Sequence, residues 1–208
     1  MVRLPRRLAR FAREETGLSL VEAMIVMPIL IMLLLGMVEF AVAQFQWNQT
    51  VKAMEIGARR AVVSSPLIST TAYDEFMSDV ATLDPGDSTP STIVVRRCGA
   101  GTGIACEAAQ LNRLLTGGDG KCGVTEPNSL PGICDINSSI GAQHLRFTYT
   151  RAGLGYVGRP AGAVTTLRLE VVGLPFNFLF LNAMFPGSDF TIPAHPVTMT
   201  SEDLSNTA

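Results

Sequence analysis

From Ala23 to Val38 no side chain is charged, and extending the run back to Leu18 admits only Glu22. As a helix rising 1.5 Å per residue, Leu18–Val38 is about 30 Å long, the thickness of a bilayer's hydrocarbon core. The run therefore predicts a membrane-spanning helix rather than the core helix of a soluble domain. Beyond it the pattern becomes two-sided. Val42, Phe45, Gln49 and Lys52 descend one face, while Val38, Val51, Met54, Ala58 and Ala61 hold another at three-to-four spacing. The same helix is expected to continue to about Val63, where Ser64-Ser65-Pro66 ends it. Its projecting stripe is the spine for a sheet, with Gly57 and Ala58 allowing close backbone approach.

The rest of the chain mixes short elements. Thr71-Ala-Tyr-Asp74 opens an amphipathic helix through Leu83, stopped by Asp84-Pro85-Gly86. Ser91–Arg97 reads as a strand, and the Gly-rich stretch 98–134 holds one short helix, Ala105–Leu115. The carboxyl third then alternates with period two. Leu145, Phe147 and Tyr149 oppose Arg146, Thr148 and Thr150, and Leu167, Leu169 and Val171 oppose Arg168 and Glu170. A last strand over Phe190, Ile192, Ala194, Val197 and Met199 is broken by Pro193 and Pro196, which demote it to an edge. The pattern predicts an antiparallel sheet with one covered face. Between these strands lies the Phe-rich segment 174–185, either a buried connection or an exposed patch for membrane or partner, with burial the expectation.

The fold class expected is therefore α+β: a leader over 1–17, a transmembrane and projecting helix over 18–63, and an α+β domain over 64–208 with a Cys-containing loop at 98–134. Of 208 residues, 47% are hydrophobic and 16% charged, enough for one modest core beyond the helix. The overall charge of -2 hides an asymmetry: the first 17 residues carry five arginines against Glu14 and Glu15, and no basic residue follows Arg13 until Lys52. The positive-inside rule then keeps the amino terminus in the cytoplasm and exports everything after Val38. A mildly acidic exported domain gives no support for nucleic-acid binding. Four cysteines, Cys98, Cys106, Cys122 and Cys134, in an oxidising compartment favour two disulfides over a metal site, since no Cys-x-x-Cys is present and His144 and His195 are isolated. Of the three pairings, the Gly-rich segments favour Cys98–Cys106 with Cys122–Cys134.

Two arrangements compete for the amino terminus. Ala41-Val-Ala43 has the small-x-small form of a secretory cleavage site, but it follows an apolar run of spanning length and would need a 43-residue signal. The other arrangement places Gly17 between a basic leader and the apolar helix, with Glu22 five residues on. Gly17-Leu-Ser-Leu-Val-Glu22 resembles the processing site of type IV pilins and pseudopilins, where a prepilin peptidase cuts after the glycine. With Pro28, Gly36, Glu39-Phe40 and Ala53-Met-Glu-Ile-Gly57-Ala58-Arg59, residues 17–61 are similar to the TadE-like pseudopilins of tight-adherence (Flp-type) pilus systems. Ala23 departs from the Phe common at that place in the family.

The resemblance implies cleavage between Gly17 and Leu18, and assembly through Glu22, paired with the new amine of a neighbouring subunit, and through a helix kinked at Pro28. It also implies a minor pilin or pseudopilin in the inner membrane with a periplasmic domain. Its partners would be a prepilin peptidase, an inner-membrane assembly platform and other pilins, with an assembly ATPase supplied by the system. The residues themselves say less of Glu22: a carboxylate in lipid costs on the order of 2.5–3.5 kcal/mol on insertion scales, so it is paired, functional or held at the membrane edge.

No Gly-x-Ser-x-Gly, His-Glu-x-x-His or phosphate-binding loop occurs. Gly99-Ala-Gly-Thr-Gly103 reads as a turn, and no acidic ladder suits calcium. Asn48-Gln-Thr50 and Asn137-Ser-Ser139 match the glycosylation sequon, a pattern common by chance. No cofactor and no enzymatic activity are expected. The competing reading, from another class, is an uncleaved membrane-anchored binding module or adhesin.

Overall fold

The computed structural model describes residues 16–123, 127, 129–159, 163–181, 190–193 and 195–201, with the side chains of the first helix from Leu20 onward. Leader residues 1–15, the Phe-rich segment from 182 and Ala194 lie outside the described residues. The chain forms two compact units. One contains the first helix up to Gln44 together with residues 177–181, and the other contains residues 45–176 and the described residues from Phe190.

The apolar run and the amphipathic stretch make one α-helix, α1, over Thr16–Val62, with Pro28 inside it. The proline withholds one amide donor, yet the helix continues past it. Val63, Ser64 and Ser65 fall outside the helix. Ser64 turns its hydroxyl back to the Ala61 carbonyl, 3.4 Å away, and Pro66 follows.

In the larger unit, α1 supplies Ala53, Met54, Ala58, Ala61 and Val62 to a single buried cluster. Their facing surface is a four-stranded antiparallel sheet in the order β1-β2-β3-β4. The strands are β1 (Val94–Gly99), β2 (Leu145–Arg151), β3 (Thr166–Val171) and β4 (Val197–Thr200). Alternation sends Leu145, Phe147 and Tyr149 of β2 and Leu167, Leu169 and Val171 of β3 into the core. β4 is an edge strand, and among the described residues before it a bridge joins Pro175 and Thr191. β1 starts three residues later than the pattern suggests, because its first partner is Arg151, the last residue of β2. Ser91, Thr92 and Ile93 lie beyond that end and have no β2 residue to pair with.

The helices around the sheet are short: α2 (Thr70–Met77), α3 (Ala108–Thr116) and α4 (Ile133–Ile136). α2 begins where Ser69 caps it by accepting from the Ala72 amide, 3.3 Å. It stops well before Leu83. Ser78 and Thr82 bond the carbonyls three residues back, at 2.9 and 3.1 Å, and 78–83 are turns. A further helical turn that the hydrophobic pattern did not signal, α4, begins at the end of the stretch 98–134. Cys98 is joined to Cys106 and Cys122 to Cys134, with Cα separations of 5.0 and 5.2 Å. Between the first pair, the Gly99 amide donates to the Ile104 carbonyl at 2.8 Å and closes the turn. Gly99 has φ +94°, and a side chain there would collide with the Leu145 carbonyl, so only glycine fits.

Candidate functional site

The first half of α1 is the part of the molecule with the most exposed apolar surface. Met24, Ile25, Met27, Ile31, Met32, Leu34 and Met37 are each more than half exposed. Soluble folds bury such residues, so a surface of this extent marks lipid or partner contact. α1 is long and apolar enough to cross a membrane. Glu22 and Pro28 both sit on this exposed stretch. Gly17 and Leu18 occupy the first turn of the helix, so Leu18 and Glu22 are one turn apart along it. A Cβ placed on Gly36 would meet nothing within 4 Å.

Glu39 closes this apolar run and behaves quite differently. It is buried, only 6% exposed. Its carboxylate accepts three consecutive backbone amides: Leu179 on Oε2 at 3.1 Å, and Phe180 and Leu181 on Oε1, the latter at 3.0 Å. Three amide donors are what an ionised carboxylate needs to leave water. Glu39 therefore fastens the Phe-rich segment to the helix at the end of the apolar run. Within that segment Leu174 is buried and Phe176 packs against the core, whereas Leu179 and Phe180 are exposed. The described part of the segment is thus buried at its start and exposed at Leu179 and Phe180.

Residues 17–59 match the family described as TadE-like protein. No curated protein and no solved structure matches the chain.

The match lies wholly within α1 and leaves the rest of the chain outside it. The matched stretch holds Glu22 and Glu39 and runs on into the packed half of α1. There Gly57 faces Ile133 so closely that a Cβ would lie 2.6 Å from Cδ1. Arg60, just past the match, donates to the carbonyls of Pro131 at 2.6 Å and Arg113 at 3.2 Å, tying the helix to the second disulfide loop and the end of α3. Burial lowers its pKa from the free-arginine value, and the nearby Asp135 carboxylate opposes that shift. Asp135 itself holds the loop by accepting from the amides of Gly123 at 2.9 Å and Gly132 at 2.7 Å.

The remaining residues singled out from the pattern have structural roles. Nδ1 of His144 accepts from the Gly141 amide at 3.2 Å, and the exposed His195 meets Trp47 edge-on at 6.0 Å. Asn137 is buried and donates from its side-chain amide to Thr50 at 3.0 Å, so that sequon is spent on joining α4 to α1. Among the described residues, no group of three or more His, Cys, Asp or Glu side chains is placed to hold a metal ion.

Two groups escaped sequence reasoning. Glu39 was visible only as a residue of the family pattern, because its amide partners lie 140 residues and more away. Arg151 is fully buried on the core face of β2. It donates from Nε to the Phe76 carbonyl at 3.3 Å, pairs through Nη2 with Asp79, and lies over the Phe76 ring. The signal for Arg151 was the period of β2 itself, which puts position 151 on the same face as Leu145, Phe147 and Tyr149.

Proposed function

We propose that this protein is a minor pilin or pseudopilin that enters or primes a Flp/Tad-type pilus or secretion pseudopilus. α1 spans the inner membrane with its start in the cytoplasm, and the disulfide-bonded domain stands in the periplasm. A prepilin peptidase cuts between Gly17 and Leu18. Glu22, one turn into the mature helix, then pairs with the new amine of a neighbouring subunit and sets the axial position at which helices slot together, while Pro28 shapes the helix for that packing. The assembly platform and other pilins are its partners, the energy comes from an ATPase of the system, and the chain has no catalysis of its own.

The observation that carries this reading is the exposed apolar half of α1 with Glu22 on it, inside the stretch that matches TadE-like proteins. A carboxylate retained on a lipid-length surface costs free energy unless a partner meets it. Mass spectrometry of protein extracted from membranes tests the first step. Leu18 is the expected first residue, and Gly17→Ala retains the leader. A chain still beginning at Met1 in the native membrane overturns the reading and favours the anchored binding module. Glu22→Ala is expected to insert and be cut normally but to drop out of filaments; unchanged filament incorporation defeats the proposed pairing.

A further inference from the structure

We infer that residues 177–181 form a membrane-interface foot, held against α1 by Glu39 and inserting Leu179 and Phe180 into the headgroup–acyl boundary of the bilayer that α1 spans. The inference rests on the reading of α1 as a spanning helix, and three observations add to it.

The first is position. Glu39 is the first residue after the uncharged run, and Leu18–Val38 already fills about 30 Å. Whatever Glu39 holds lies at the level where the hydrocarbon ends. The second is hydrogen bonding. Backbone amides close to lipid must be satisfied within the protein, because no water is there to accept from them. The Glu39 carboxylate accepts from all three amides of residues 179–181. An ordinary exposed loop would leave such donors to solvent; here a buried acid is spent on them. The third is chemistry. From Val171 to Ser188 the sequence contains no charged residue. Leu179 is 60% exposed and Phe180 43%. Aromatic and aliphatic side chains presented at this level are what membrane interfaces collect. On α1 itself, Met37 and Phe40, on either side of Glu39 in sequence, are also exposed.

Tryptophan fluorescence of the full chain in lipid vesicles tests this. Trp47 is the chain's single tryptophan, so Trp47→Phe gives a silent background. Phe180→Trp reports on the foot, with Leu179→Trp as a second reporter should the first disturb folding. Met27→Trp, near the middle of the run, reports on spanning. The expected result is that lipids brominated near the headgroup roughly halve emission from Phe180→Trp while aqueous iodide does little, as for a side chain at the acyl boundary. Met27→Trp should respond instead to bromines deep in the chains. Quenching of Phe180→Trp by iodide alone, with Met27→Trp still quenched by deep bromines, overturns the foot and leaves the spanning helix intact. Shielding of Phe180→Trp from both quenchers means a protein partner covers the segment, and also overturns it. If Met27→Trp ignores brominated lipid, the spanning reading fails and the foot falls with it.

Discussion

The two halves of α1 are built on opposite principles. From Ala23 to Val38 the helix is apolar on every side and largely exposed, whereas from Thr50 to Val62 it is amphipathic and buries one face under the sheet. The side chains of the first half lie outside the buried core of the packed domain. The second half is core, and its small residues are there because other elements come close. The contrast extends to glycine. Gly36 has open space where a side chain would project, while Gly57 is held against Ile133 and Leu169. The same residue type marks freedom in one half and contact in the other.

Methionine gives the largest expected difference between the halves. Met54 is fully buried and Met24 is 68% exposed. Met54→Ala should cost the packed domain about 2–5 kcal/mol, the range for truncating a buried methionine. Met24→Ala should leave it within about 0.5 kcal/mol. Denaturant unfolding of the full chain in detergent, followed by near-ultraviolet circular dichroism, reads both. Equal losses would mean that the exposed half supports the domain after all.

Gly57 and Gly36 should differ by less. Alanine is favoured over glycine inside a helix by about 1 kcal/mol. At position 57 the added methyl meets the buried Ile133 at 2.6 Å, and overpacking a core costs about 1–3 kcal/mol. Gly57→Ala should therefore be destabilising on balance, with a lowered unfolding midpoint. Gly36→Ala meets nothing and should not lower it. A Gly57→Ala variant as stable as the parent would show that Ile133 yields easily, and that the contact is looser than its distances imply.

How much of this could be read from the chain follows the same division. The spanning run needed only the absence of charge over the right length, and β2 and β3 needed only their alternation, since both are local patterns that tertiary packing reinforced. What the pattern did not reach were groups whose partners are remote. Glu39 waits for amides 140 residues on, Thr50 for Asn137, and Arg60 for carbonyls beyond position 110. Such bonds have no period in the sequence. Asp79, which an amphipathic helix through Leu83 would include, lies in the turns after α2 and pairs with the remote Arg151 on β2.

That ion pair gives the smallest effect and separates the halves by pH. Arg151 is wholly buried, and its hydrogen bond holds the Asp79 carboxyl below the usual aspartate range, against a smaller opposing effect of burial. A group whose pKa is depressed by folding stabilises the fold above its unfolded value, near 3.9, and loses that contribution as pH falls through the folded value. Thermal unfolding of the packed domain should thus be indifferent to this pair between pH 5 and 7 and weaken below about pH 4. Asp79 is part exposed, so solvent screens the pair and the drop is modest. Asp79→Asn keeps the shape but removes the titration, and the acid limb of the melting curve should flatten while the domain melts lower at neutral pH. If the acid limb is unchanged in Asp79→Asn, the low-pH loss comes from other carboxylates, and Arg151 is held by the Phe76 carbonyl and ring rather than by its counter-charge.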